Sequence, residues 1–177
     1  TMSEAVYNTS SGSGSLEASD FSLSISGGTA TLANNSATPT SISASGNVYT
    51  LGISLSGTPD GSETLTVVPV DDGIYDAYGN EASTTQSNNT ATLNDQTAPA
   101  TPTNLVATPG SAQNVLTWTA NSESDLASYK VYGGTSSSPT TLLSTISSGT
   151  ETYTNIFLNN GTLYYYRISA VDNAGNE

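Results

Sequence analysis

The sequence predicts an all-β protein made of two antiparallel β-sandwiches in tandem. Short runs rich in Val, Ile, Leu and Tyr recur between clusters of Gly, Ser, Thr and Asn, which is typical of many short strands joined by turns. No long run repeats its apolar residues at the 3.6-residue period of a helix. A proline-containing segment near the middle of the 177 residues divides the chain into two parts of sandwich size.

The domain boundary lies in the segment D-Q-T-A-P-A-T-P. Its two prolines, Pro99 and Pro102, lack the backbone N–H that a helix interior or a central strand needs, and they favour an extended, semi-rigid connector. We therefore expect a first sandwich over residues 1–96, a linker over residues 97–102 and a second sandwich over residues 103–177.

Alternating apolar residues predict the strands of both parts, because successive side chains of a strand point to opposite faces. After the linker the inward residues are Leu105 and Ala107, Leu116 and Trp118, Tyr129 and Val131, and Tyr164, Tyr166, Ile168 and Ala170. Before the linker a weaker pattern covers Phe21, Leu23 and Ile25; Ala30 and Leu32; Val48 to Leu55; Leu65 to Val70; Ile74; and Thr90 to Leu93.

Charge and composition exclude several classes of function. The net charge is −13 with two bases, which argues against nucleic acid and anionic membranes, because both require a basic surface. No apolar run is long enough for membrane insertion. The chain has no Cys and therefore neither disulfides nor thiolate metal sites. Residues 1–98 carry ten acids and no base, which suggests screening by a divalent cation.

We expect no enzymatic activity. The chain lacks His and Cys, the usual general base and thiol nucleophile. Lys130 lies between Tyr129 and Val131 and so points away from the core, and Asp71 and Asp72 are adjacent in a turn, where solvated acids are the rule.

One internal repeat stands out. The pattern D-x-x-G-N-E occurs at residues 76–81 and again at residues 172–177, an offset of 96 residues. The simpler interpretation is a turn whose Gly adopts a positive φ, and this interpretation is favoured. The alternative is that its side-chain oxygens also hold an ion.

The second part resembles a fibronectin type III domain. The resemblance rests on P-T-N-L-V-A-T (102–108), V-L-T-W-T (115–119), Y-K-V-Y (129–132) and L-N-N-G-T-L-Y-Y-Y-R-I-S-A-V-D (158–172). It implies that Trp118 is the core tryptophan of the second strand and that Tyr164 is a tyrosine corner, with its hydroxyl bonded to upstream backbone. Asn160 stands where the family usually has Pro, and the last strand of the family pattern is missing.

The first part resembles a bacterial immunoglobulin-like domain of the kind repeated in secreted adhesins. The residues that carry this resemblance are S-E-A-V (3–6), F-S-L-S-I-S (21–26), G-S-E-T-L-T-V-V-P (61–69) and I-Y-D-A-Y-G-N-E-A (74–82). In that family the S-E-x-V segment ends an early strand. We therefore expect both modules to be truncated at the chain ends and to be completed by neighbouring modules of the same or another copy of the chain.

Calcium is the one cofactor that the sequence suggests, because hard cations take carboxylate, amide and backbone oxygens. The topology of the second resemblance groups Asn121, Glu123, Asp125, Asp172 and Asn173 at the end where the linker enters, facing Asp95. By the same logic Glu4 would meet Asp72, Asp76 and Asn80 in the first part. No D-x-D-x-D-G loop is present, and the alternative that these are solvated loop acids is favoured.

The leading functional prediction is a structural or adhesive spacer of a secreted or cell-surface bacterial protein, stiffened by calcium if the ion binds. One alternative is a binding module for surface glycan or protein, with Tyr49, Tyr78, Tyr132 or Tyr165 as stacking platforms, favoured if two or more share a face. Another is the accessory region of a secreted polysaccharide-degrading enzyme. An extracellular location follows from the resemblance and from the Lys-poor surface.

Overall fold

The computed structural model describes residues 1–177 and divides into two compact units, Thr1–Gln96 and Thr97–Glu177. Each unit consists of antiparallel strands, and the helical structure is limited to two 3-10 turns of three residues each. No helix has the length and apolar character needed to span a membrane. The predicted all-β fold class is confirmed.

The first unit has seven short strands in three antiparallel sheets, ordered β1-β6-β7, β2-β5 and β3-β4. The strands are β1 (Phe21–Ser26), β2 (Thr31–Leu32), β3 (Ser41–Ser45), β4 (Val48–Gly52), β5 (Leu55–Ser56), β6 (Thr64–Pro69) and β7 (Thr90–Thr92). The 3-10 turns cover Ala18–Asp20 and Ala33–Asn35.

The core of the first unit is formed by apolar residues of the strands together with residues from two irregular segments, one before β1 and one after β6. Leu16, Phe21 and Ile74 are buried together, with Val67 and Leu51 packed against them. The predicted run from Val48 to Leu55 is divided in the structure, because β4 ends at Gly52 and β5 begins at Leu55. Strand β3 was not predicted, since S-I-S-A-S contains a single large apolar residue.

The second unit has six strands in two three-stranded antiparallel sheets, ordered β12-β9-β8 and β11-β10-β13. The strands are β8 (Thr103–Gly110), β9 (Gln113–Thr119), β10 (Leu126–Gly134), β11 (Leu142–Ser147), β12 (Thr152–Ile156) and β13 (Tyr165–Asp172).

The two sheets of the second unit share one core, which defines a β-sandwich. The core is built from alternating residues of β9, β10 and β13, namely Leu116, Trp118, Tyr129, Val131, Ile168 and Ala170. The Trp118 and Tyr129 rings meet edge to face, with centroids 5.3 Å apart. Burying a side chain of this size contributes about 2 kcal/mol or more.

The structure confirms two local expectations, and a third, the inward position of Ala107, does not lead to burial. The Tyr164 hydroxyl accepts a hydrogen bond from the backbone N–H of Asn159 at 3.1 Å, as expected of a tyrosine corner. Lys130 points away from the core, with its side chain 31% exposed. Ala107 pairs with Leu116 but is exposed, because alternation predicts the face of a residue and not how deeply that face is covered.

Candidate metal site

The loop between β9 and β10 holds the start of the second unit through side-chain hydrogen bonds. The backbone N–H of Ala100 donates to Oε1 of Glu123 at 2.7 Å, and the side-chain amide of Asn121 donates to the Ala100 carbonyl at 2.7 Å. Asn121 is itself fixed, because its backbone N–H donates to the buried Tyr129 hydroxyl at 2.8 Å. Both polar backbone groups of Ala100 are therefore bound by this loop.

Two further predicted ligands lie close together in the same unit. Carboxylate oxygens of Asp125 and Asp172 are within 4.8 Å of each other, and the backbone N–H of Asn173 donates to the Asp125 carbonyl at 2.9 Å. The loop after β9 and the turn after β13 thus bring together residues that are almost 50 positions apart in the sequence. Asp95 belongs to the first unit, where it lies beside Gly61, and its role as a ligand stays a prediction.

The donor set of the second unit fits a hard cation. Every candidate ligand atom on Asn121, Glu123, Asp125 and Asp172 is an oxygen, as Ca²⁺ prefers. Oδ1 of Asn121 and Oε2 of Glu123 are buried and have no hydrogen-bond partner. A buried oxygen without a donor is unfavourable, and a cation bound at either atom would satisfy it. The Glu123 carboxylate does not form a cluster with those of Asp125 and Asp172 within 4.8 Å, so the loop oxygens and the Asp pair are separate groups of candidate ligands.

The carboxylates of this loop region favour their ionised forms. The backbone N–H of Ala100 is the main cause that lowers the pKa of Glu123 below its ordinary value. Burial acts to raise the pKa of Asp172, but hydrogen bonds from Asn176 and Gly175 outweigh it and lower the pKa overall. Both acids are therefore charged at neutral pH, as metal ligands must be.

In the first unit the structure brings Asp76 and Asn80 together in one turn. Oδ1 of Asp76 accepts from the backbone N–H groups of Tyr78 and Asn80 at 2.8 and 2.9 Å, and Oδ2 accepts from the Asn80 amide at 2.7 Å. These bonds lower the pKa of Asp76, with the Asn80 amide as the largest cause. Gly79 has a φ of +84°, so the interpretation of the repeat as a turn with a left-handed Gly is confirmed.

The remaining predicted ligands of the first unit have separate surroundings. Asp72 accepts from the Tyr75 hydroxyl at 2.9 Å, and its backbone N–H donates to the Glu81 carboxylate at 2.7 Å. Glu4 is exposed and makes no hydrogen bond. No three acids within the first unit bring carboxylate oxygens within 4.8 Å of one another. The metal site predicted here stays a prediction.

Glu63 is a buried acid that the sequence analysis missed. Its side chain is fully buried, and Oε1 accepts from the backbone N–H groups of Thr29 and Ala30 at 2.9 Å each. The Ala30 hydrogen bond is the main cause that lowers its pKa. An added Cβ on Gly28 would lie 2.2 Å from the Glu63 carboxyl carbon, so the loop approaches the acid closely. Nothing in G-S-E-T-L-T signals a buried carboxylate, because its donors come from a loop more than 30 residues away.

The second missed feature is a polar network on the outer face of β10 and β13. The Glu177 carboxylate accepts from the Lys130 ammonium at 2.5 Å, the Tyr132 hydroxyl at 2.7 Å and the Ser169 hydroxyl at 2.6 Å. These three donors, led by Lys130, lower the pKa of Glu177 to about 2. The outward position of Lys130 was the only sequence signal for this network.

The four candidate stacking tyrosines occupy different surroundings. Tyr49 packs against the core of the first unit, and Tyr78 is 89% exposed in the turn after Asp76. Tyr132 and Tyr165 lie on the same outer face of the second unit, because Tyr132 pairs with Arg167, two residues after Tyr165 on β13. Two of the four therefore share a face.

Comparison with known proteins assigns no family to the chain: no family model matches, and no curated protein matches. Among solved structures the chain is similar to the spore cortex lytic enzyme SleM of Clostridium perfringens, with a TM-score of 0.40 and 20% sequence identity. The similarity covers 52% of this chain and spans 32% of the length of that enzyme. At this distance the similarity assigns neither a family nor a function.

Proposed function

We propose that this chain is a non-enzymatic spacer of an extracellular or cell-surface protein, built from an immunoglobulin-like and a fibronectin type III-like module. The observation that carries the proposal is the capture of Ala100 by Asn121 and Glu123, at 2.7 Å each. A connector that was only a tether would need no such contacts. Two bonds to one linker residue shorten the part of the chain that is free to bend.

The state of the acids supports a structural role over catalysis. A general acid at neutral pH needs a raised pKa, whereas the pKa values of Asp76, Glu123 and Asp172 are all lowered. Each of these carboxylates accepts hydrogen bonds from backbone N–H groups of nearby loops or turns. Such acids hold loops in place, which suits a module whose task is reach and mechanical strength.

We further propose that Ca²⁺ binds the loop region of the second unit and stiffens it. Asn121 and Glu123 would contribute their unpartnered oxygens as ligands. Asp125 and Asp172, which do not cluster with Glu123 within 4.8 Å, would add negative charge to the same end of the unit. The ion would then fix the loop that holds Ala100. The spacer proposal does not depend on the ion, since the Ala100 contacts are made by the protein alone.

Site-directed spin labelling tests the spacer proposal, and the absence of native Cys makes it practical. Labels at Ser45 and Thr145, both exposed, report the distance distribution between the two units. We expect the distribution to broaden in Asn121→Ala/Glu123→Ala, because the linker residue is released. The control is Asp76→Ala, which removes a carboxylate away from the linker. Equal widths in all three proteins would refute the spacer proposal.

Calorimetric titration tests the metal proposal separately. We expect Ca²⁺ to bind the wild type and to raise the unfolding midpoint followed by Trp118, the single tryptophan. Glu123→Gln should weaken binding by about tenfold or more, because one charged ligand becomes neutral. The matched control is Asp76→Asn, which should bind like the wild type. Absence of calcium binding to the wild type would reject the metal site and leave the spacer proposal standing.

A further inference from the structure

Both basic residues of the chain lie on one face of the second unit. Lys130 on β10 pairs with Ser169 on β13, and Tyr132 on β10 pairs with Arg167 on β13. Residues directly opposite each other in an antiparallel pair share a face, and residues two apart on a strand also do so. The chain has 15 acids and two bases, so this face concentrates all of its side-chain positive charge.

The two bases differ in how they are neutralised. Lys130 is paired with Glu177, and both side chains are 31% exposed. Arg167 is exposed and has neither an ion pair nor a hydrogen bond through its side chain; its guanidinium lies 4.2 Å above the centre of the Tyr132 ring. The positive charge of Arg167 is therefore uncompensated in a protein of net charge −13.

Tyr132 holds the guanidinium in an orientation suited to binding an anion. A guanidinium over an aromatic ring is attracted to the ring face, which leaves its N–H groups available at the edges. Those N–H groups form a planar fork that matches the two oxygens of a carboxylate. The Tyr132 hydroxyl is in turn fixed by its hydrogen bond to Glu177, so the ring does not rotate away freely.

A cleft of about 480 Å³ lies beside Arg167 within the second unit. Pro99 contributes apolar surface, whereas Thr101, Ser169 and Glu177 contribute hydroxyl and carboxylate groups. Ile168 and Ala170 also line the cleft, but their side chains belong to the buried core. A proline face beside hydroxyls and a carboxylate suits a sugar, which has weakly polar ring faces and hydroxyls that both donate and accept.

We propose that this cleft binds an acidic saccharide, with the carboxylate of a uronic acid-type sugar paired to Arg167. The sugar ring lies against Pro99, and its hydroxyls bond to Thr101 and Glu177. Lys130 keeps Glu177 neutralised and so prevents it from repelling the ligand carboxylate. An acidic peptide would also pair with Arg167, and competition between the two ligands separates it from the saccharide. This inference goes beyond the spacer role, which needs no ligand.

Titration of the full chain with a galacturonic acid trisaccharide tests the proposal, with a galactose trisaccharide as the uncharged ligand. We expect saturable binding of the acidic sugar, with chemical-shift changes at Thr101, Tyr132, Arg167 and Ser169, and at least tenfold weaker binding of the neutral one. Arg167→Gln should weaken binding about tenfold or more. Absence of saturable binding to the wild type, or equal binding of both sugars, would overturn the proposal.

Thr117→Glu is the matched control for Arg167→Gln. It makes the chain more negative by the same single charge, but on the exposed face of β9 in the other sheet. We expect it to bind like the wild type, and an equal loss in both variants would show that only net charge matters and would refute the site. An acidic hexapeptide that binds more tightly than the acidic trisaccharide would also refute the proposal.

Discussion

The two D-x-x-G-N-E turns share one local structure but have different surroundings. In each turn the Asp carboxylate accepts from the backbone N–H and the side-chain amide of the Asn four residues on, and the Gly has a positive φ. Asp76 is partly exposed, whereas Asp172 is only 3% exposed. The turn is therefore encoded locally, and its burial is set by the unit that contains it.

The final Glu of the repeat shows the difference most clearly. Glu81 accepts from the backbone N–H of Asp72, a neighbour in the same region of the chain. Glu177 reaches across the sheet to Lys130, Tyr132 and Ser169. The same residue at the same position of the same turn stabilises a loop in one unit and a sheet face in the other. A repeat in sequence predicts repeated geometry and does not predict a repeated role.

The largest expected difference between the turns comes from removing the aspartate. Asp172→Ala removes a carboxylate that is itself buried and that accepts from the N–H groups of the exposed Gly175 and the half-buried Asn176. We expect the second unit to lose about 2 kcal/mol of unfolding free energy, since hydrogen bonds to a charged group contribute more than neutral ones. The measurement is chemical unfolding followed by Trp118 fluorescence, which reports this unit alone.

Asp76→Ala is the paired variant in the first unit. Water reaches this turn, so the freed N–H groups can bond to solvent and the loss of stability should be smaller. Hydrogen exchange of amides in the first unit measures it. Equal losses in the two variants would show that burial does not separate the turns.

Replacing the Gly of the turn should cost more stability in the first unit than in the second, which is the reverse of the order expected for the Asp. A Cβ at Gly79 would lie 2.4 Å from the Ser10 carbonyl oxygen, whereas a Cβ at Gly175 has no atom within 4 Å. Gly175→Ala therefore costs only the left-handed strain, about 1 kcal/mol. Gly79→Ala adds a backbone clash and should cost roughly 2–3 kcal/mol. Hydrogen exchange of the amides in each unit measures the two losses of stability. A larger loss for Gly175→Ala than for Gly79→Ala would contradict this difference in packing.

The sequence predicts the strands of the second unit better than those of the first. Tyr129, Val131, Ile168 and Ala170 alternate strictly, and all four are buried, because the period of a strand is a local property. Strand β3 carries only Ile42 as a large apolar residue, so its pairing with β4 depends on the turn at Gly46 and on distant packing. The strands of the second unit are therefore easier to predict, because their apolar residues alternate more strictly than those of the first unit.

The polar contacts also differ in whether the sequence predicts them. The D-x-x-G-N-E turn was predictable, because the Asp, Gly and Asn lie within five residues and each supplies one element of the geometry. The bonds of Glu63 to Thr29 and Ala30 were not, because they join segments more than 30 residues apart. The network around Glu177 needs the register of β10 against β13, which no local pattern contains.

The smallest expected effect concerns the pH dependence of the two glutamates. The Lys130 ammonium is the main cause that lowers the pKa of Glu177 from 4.5 to about 2. Because the folded pKa lies below the ordinary one, this contribution to stability is fully present above about pH 4.5 and is lost as the pH falls through about 2. The pair is partly exposed and screened, so we expect Glu177→Gln to lower the Trp118 unfolding midpoint by up to about 5 °C at pH 6.

The pH profile of this midpoint difference separates the two turns. For Glu177→Gln the difference should shrink between about pH 4.5 and 2, as protonation removes the charge in the wild type. Glu81→Gln is the matched control, and the first unit contains no Lys or Arg that could pair with this position. Its effect on the stability of the first unit should be smaller at every pH. A midpoint difference for Glu177→Gln that stays constant from pH 2 to 7 would mean that the carboxylate charge does not hold this network together.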